Sequence, residues 1–167
     1  MKRKILCARR LKVWILKPEL IKHLLGGRKL IRSVAYVVKT ATSDEASPTP
    51  RGREAQQPEG EVAFFDALKQ AGIELRVKDI QIYPGGAKKA DWDVGMAVDA
   101  IRMASFLDVV VLVTGDGDFL PLVDYLKWGM GTLVEVAAFS RTTKTEMKSQ
   151  GDEFIAIEEI PRVLLRK

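Results

Sequence analysis

Two hydrophobic patterns alternate along the chain. Continuous Val/Leu/Ile runs mark strands buried on both faces, and apolar residues at intervals of three and four mark amphipathic helices. PELIKHLL at 18–25 reads as a helix with Pro near its start and Gly26-Gly27 as its stop. LIRSVAYVV at 30–38 reads as a strand rich in β-branched residues. The polar span 41–60, with Pro48, Pro50 and Pro58, reads as an exposed loop. Val62, Phe65 and Leu68 share a face of a helix at 61–70 that Gly72 closes, and 73–77 alternates as a strand. Residues 81–83 extend that strand or pair with it before the turn Pro84-Gly85-Gly86. Then come a helix at 91–106 opened by an Asp cap, a strand at 109–114 and a helix at 118–128 ended by Gly129. A strand at 133–137, a helix near 144–150 and a short strand at 154–157 complete the pattern, without internal repeats. Such alternation predicts an α/β fold: a three-layer α/β/α Rossmann-like sandwich on a mostly parallel sheet.

Composition narrows the chemistry. The 167 residues are 47% hydrophobic, enough for one globular core. No apolar run approaches the roughly 20 residues that span a bilayer, and charges interrupt the apolar residues of the basic N-terminus, so neither a membrane partner nor a secretory leader is expected. One cysteine, Cys7, gives no internal disulfide and suits a cytoplasmic protein. One histidine, His23, lies on a basic helix without a nearby acid and reads as a surface or packing residue. With one His and one Cys, neither a zinc site nor a Ser-His or Cys-His nucleophile pair can be built. The formal net charge of +5 hides an asymmetry: residues 1–32 carry 11 Lys/Arg against the single acid Glu19, and the rest carries more acid than base. A basic arm beside an acidic body suits a polyanion, although a solvated basic surface explains it equally well.

The remaining chemistry belongs to carboxylates, which favour Mg²⁺ or Mn²⁺. VVVLVTGDGDF at 109–119 runs a buried strand into a tight turn with Asp116 and Asp118 two residues apart, where open α/β sheets bind ligands. Gly115 and Gly117 permit a tight turn and close approach. On a helical wheel Asp93 falls on the face of Ala97, Ala100 and Ala104, in the first turn of its helix, so it reaches the same sheet edge. Asp93, Asp116 and Asp118 can then converge on one ion; the plainer alternative makes Asp93 and Asp118 helix N-caps. Asp99 lies about 9 Å further along the helix, as a ligand-supporting acid or a buried hydrogen-bonding one. Thr114 can hold a metal-bound water, and the backbone N–H groups near Asp118 can favour a phosphate. Lys88 and Lys89 suit a nucleic-acid backbone or solvent. Trp14, Trp92 and Trp128 suit packing better than base stacking.

DWDVGMAVDAIRMASFLDVVVLVTGDGDFLPLVDYLKWGMGTLVEVAAF, with the later GDEFIAI, resembles the NYN domain of LabA-like proteins, in the PIN-like nuclease superfamily. The resemblance implies a PIN-like fold, carboxylate-bound Mg²⁺ (or Mn²⁺) and endonucleolytic cleavage of RNA. By position it implies catalytic and metal-binding roles for Asp93, Asp116 and Asp118, a metal role for Asp99, and supporting roles for Thr114, Gly115 and Gly117. It also makes RNA the expected partner; the candidate basic contacts in this chain are Lys88, Lys89, Arg9 and Arg10, and a homodimer is a candidate self-association. The family's first strand ends in an Asp-Gly-x-Asn-like motif at the centre of the sheet. Here no Asp precedes Asp44. The expectation is therefore a sheet lacking that strand, or one in which residues 4–7 or 12–16 replace it without a carboxylate. On that reading 1–19 is a degenerate or truncated start, 20–160 the domain and 161–167 a basic tail. Two functions follow: a metal-dependent ribonuclease, or a catalytically impaired RNA-binding or regulatory module.

Overall fold

The computed structural model describes residues 3–9, 18–39, 59–82, 88–89 and 91–163. Strands β1 (Arg3–Arg9), β2 (Lys29–Lys39), β3 (Glu74–Asp79), β6 (Val109–Val113), β7 (Leu133–Ala138) and β8 (Glu153–Ala156) form one sheet in the order β3-β2-β1-β6-β7-β8. Every neighbouring pair in it is parallel. The centre of the sheet is therefore filled. Arg3–Arg9, which contains residues 4–7, lies between β2 and β6, with Lys4 opposite Val109 and Ala8 opposite Val113. Of the alternatives, the gap is overturned and the replacement by residues 4–7 is met, because a short apolar run with two parallel neighbours can complete a sheet whatever its terminal residues. Residues 12–16 lie outside the described residues.

Helices cover both faces. All five residues of β6 are buried, and they alternate. Val109, Val111 and Val113 pack with Leu20, Ile21 and Leu24 of α1 (Pro18–Leu25) and Leu68 of α2 (Glu59–Gln70). Val110 and Leu112 pack on the other face with Met96, Ala100 and Met103 of α3 (Asp93–Ala104), Leu122 and Val123 of α4 (Leu120–Asp124) and Met147 of α5 (Thr145–Gln150). A period-two strand with both faces apolar is what a central parallel strand requires, and the three-layer sandwich is as the pattern predicts. Connections switch faces between β3 and β6, which puts the topological switch point between β1 and β6, where open α/β sheets bind ligands at their carboxyl edge.

Some elements differ from the pattern. Gln81–Ile82 (β4) does not extend or pair with β3; it pairs antiparallel with Lys88–Lys89 (β5) in a separate ribbon. The stretch 118–128 is not one regular helix. A 3-10 turn at Gly117–Phe119 leads into α4, with Pro121 in its first turn, and a π-turn at Tyr125–Gly129 ends it. Residues 41–58 of the polar span and the turn 84–86 lie outside the described residues, and Glu59 and Gly60 already belong to α2.

Candidate metal centre

Asp93, Asp116 and Asp118 converge. One carboxylate oxygen from each lies within 4.8 Å of the others. Asp116 and Asp118 come from the turn beyond β6, and Asp93 is the first residue of α3. None of the other predicted metal residues joins them: Asp99 lies outside this group.

The turn is built by local hydrogen bonds. Thr114, buried at the end of β6, accepts from the Asp116 N–H through Oγ1 at 3.2 Å, and Asp116 Oδ1 accepts from the Asp118 N–H at 3.2 Å. Asp116 is thus the residue that caps the 3-10 turn. The capping alternative for Asp118 and Asp93 does not hold, since Trp92 occupies the cap position of α3 and makes no side-chain cap bond. Asp91 instead accepts from the Asp93 N–H at 3.0 Å.

Gly115 and Gly117 serve space, not backbone conformation, because neither has a positive φ. The close approach that they permit is made by the chain itself. A Cβ at Gly115 would lie 2.4 Å from Thr143 Oγ1, and one at Gly117 would lie 2.9 Å from Lys144 Cδ and 3.3 Å from Lys144 Nζ. Thr143 and Lys144 belong to the segment after β7, where Ser140–Thr142 forms a 3-10 turn. Thr143 is buried and donates to Phe139 O at 2.7 Å. The hydroxyl and backbone N–H of Ser140 both donate to Glu158. Slight burial pushes the Glu158 carboxyl up, but the Ser140 and backbone hydrogen bonds and the charge of Lys148 outweigh it and hold it below its ordinary value.

Asp93 is placed from the other side. Trp92 donates through Nε1 to Val37 O of β2 at 2.9 Å, its ring lies 5.6 Å from that of Tyr36, and it closes over Gly95, where a Cβ would lie 2.7 Å from the indole. Lys78 Nζ sits over the same ring at 5.5 Å and donates to Asp91 O at 2.9 Å. Asp99 accepts from Tyr36 Oη at 3.0 Å and pairs with Arg76 Nε at 3.4 Å. It ties α3 to β2 and β3, which is the hydrogen-bonding alternative for this residue.

The donor set fits a hard divalent cation. Three carboxylate oxygens suit Mg²⁺ or Mn²⁺, and octahedral bonds of about 2.1 Å put ligand oxygens roughly 3 to 4 Å apart, within the 4.8 Å that bounds their separation here. The sequence pattern located the acids but missed Trp92, Thr143 and Lys144 as neighbours. A lysine just beyond the strand next to β6 was the available signal for Lys144. Arg9 ends β1 opposite Tyr36, at the carboxyl edge, while Arg10 lies outside the described residues. Lys88 and Lys89 lie in the ribbon that precedes α3. His23 is exposed on α1, and Trp128 is exposed at the end of the π-turn.

Comparison with known proteins agrees with this architecture. The NYN domain profile matches residues 15–158. "Low amplitude and bright protein LabA" of Synechococcus elongatus is 23% identical over 111 residues, covering 63% of this chain and 59% of that protein. The chain thus matches a little over half the length of this relative. The crystal structure of a protein of unknown function from Vibrio parahaemolyticus superposes with a TM-score of 0.74 at 24% identity, covering 95% of this chain and 94% of the other. Among the described residues no helix is long and apolar enough to cross a membrane.

Proposed function

Because the chain belongs to the NYN domain family, we propose that it is a Mg²⁺- or Mn²⁺-dependent endoribonuclease that hydrolyses RNA phosphodiester bonds at its carboxylate cluster. The observation that carries this reading is the convergence of Asp93, Asp116 and Asp118 at the carboxyl edge of a parallel sheet. These three residues would hold the cation. Such a cation supplies Lewis acidity at a phosphate oxygen and lowers the pKa of water. The protein's part is placement: Thr114 and Asp116 fix the turn, and Trp92 anchors the first turn of α3 that presents Asp93. The basic N-terminal sequence attracts the RNA backbone in a salt-dependent manner.

Cleavage of a 5′-labelled RNA in Mn²⁺, in Mg²⁺ and in EDTA tests the reading, with Asp116→Asn as control. Asn keeps an acceptor for the Asp118 N–H, so the turn persists while the ligand charge is lost. We expect metal-dependent cutting that falls about 100-fold or more in the variant. Equal cutting by both proteins would sink the proposal. A second reading rests on Arg9, which ends the central strand where the family resemblance places a carboxylate. On that reading the chain binds RNA without turnover, and the result that favours it is RNA affinity with no cutting in either metal.

A further inference from the structure

We propose that Lys144 is the residue of this site that receives the RNA phosphate, its ammonium contacting a non-bridging oxygen of the phosphodiester held at the carboxylates. The inference rests on the nuclease reading above and adds to it a contact with the substrate. Lys144 comes from the connection after β7, while the acids come from the connection after β6 and from α3. Its side chain lies along Gly117, the residue between Asp116 and Asp118, with Cδ and Nζ 2.9 and 3.3 Å from where a Cβ would stand.

The backbone at this lysine is fixed on both sides. Thr143 before it is buried against Gly115 and bonded to Phe139 O. The Lys144 carbonyl accepts from the N–H groups of Met147 at 3.1 Å and Lys148 at 3.3 Å, and Met147 is wholly buried. A flexible stem on a fixed base, packed over a glycine, holds the ammonium near the turn while leaving it exposed to a ligand.

Charge gives the lysine its task. Three carboxylates with one divalent cation leave the site with a net negative charge of one. An incoming phosphodiester carries another negative charge, and like charges a few ångströms apart at a protein surface repel. An ammonium beside Gly117 offsets the residual negative charge of the carboxylates with their cation before the phosphate arrives, and it donates charge-assisted hydrogen bonds to phosphate. The same lysine opposes uptake of the cation itself, so its removal has opposite effects on the two ligands.

Mn²⁺ binding by calorimetry and binding of a 5′-fluorescein single-stranded RNA 20-mer by anisotropy, with Ca²⁺ present, separate the two ideas. Both are measured on the full chain and on its Lys144→Ala, Lys144→Arg and Asp116→Asn variants. Lys144→Ala should bind Mn²⁺ as tightly as the parent or more tightly, and should lose RNA affinity about tenfold. Lys144→Arg should recover most of that loss. RNA affinity unchanged in Lys144→Ala overturns the assignment while leaving the metal site standing. RNA affinity lost equally in Lys144→Ala and Lys144→Arg, together with weaker Mn²⁺ binding in both, also overturns it, since the lysine is then structural. Failure of the parent to take up Mn²⁺, or Mn²⁺ uptake undiminished in Asp116→Asn, removes the nuclease reading and this inference with it.

Discussion

Gly115 and Gly117 flank the same aspartate, yet they face different neighbours, and substitution should separate them. A methyl at Gly115 meets the hydroxyl of Thr143, which is buried and tied to Phe139. It has nowhere to yield, so Gly115→Ala should cost about 1–3 kcal/mol, read as a lower midpoint in urea. A methyl at Gly117 meets the far end of an exposed lysine that can swing aside. Gly117→Ala should therefore leave the urea midpoint nearly unchanged and weaken RNA binding, because the ammonium is pushed off the turn. Residue types alone reveal that these positions need space; they do not reveal what fills it. Asp116 and Asp118 were legible from their place after a buried strand, and Asp93 from its wheel position. Asp99 shares that helix, but its partners Tyr36 and Arg76 lie 63 and 23 positions upstream, beyond the reach of any local pattern.

Elements are held to one another by charged ties whose partners are distant in sequence. Arg28, between α1 and β2, bonds both oxygens of Glu135 on β7 and the carbonyls of Leu24 and Leu25. The Glu135 side chain is only 5% exposed, so Arg28→Ala strips a buried carboxylate of the guanidinium that bonds both its oxygens. The expected loss is about 3 kcal/mol in urea unfolding, and Arg28→Ala combined with Glu135→Leu should recover part of it. Glu158 ties the region of β8 to the segment that carries Thr143 and Lys144. Its folded value lies below the ordinary 4.5, so its contribution is fully present above about pH 4.5 and fades as pH falls through the lowered value. A pH series of thermal midpoints should thus show Glu158→Gln less stable than the parent at pH 6, with the two curves converging in acid. Helices α1 and α2 and the strands β2, β6 and β7 were legible because their patterns are long or continuous. The 118–128 stretch was not, since apolar spacing cannot distinguish an α-helix from the 3-10 and π turns at its ends.

For the whole molecule, the alternation of strands and helices was sufficient for the three-layer class, and the family match agrees with it. The middle of the sheet was the exception, because a seven-residue strand with basic ends carries little signal of its own. That strand has a consequence for assembly. Most parallel pairs join segments fairly near in sequence: β1 to β2, β2 to β3, β6 to β7 and β7 to β8. Lys4 and Val109, in contrast, are 105 positions apart. Distant pairings are slow to close, so the seam between β1-β2-β3 and β6-β7-β8 is expected to be the last part of the sheet to form. The acids straddle it: Trp92 fastens the start of α3, and with it Asp93, to β2, while Asp116 and Asp118 hang from β6. A cation bound by all three therefore grips both halves. Saturating Mn²⁺, at 100 times its dissociation constant, should stabilise the folded chain by about 2.7 kcal/mol and slow the parting of the halves, visible as amide exchange along β1 and β6, whereas Asp93→Asn should abolish that protection.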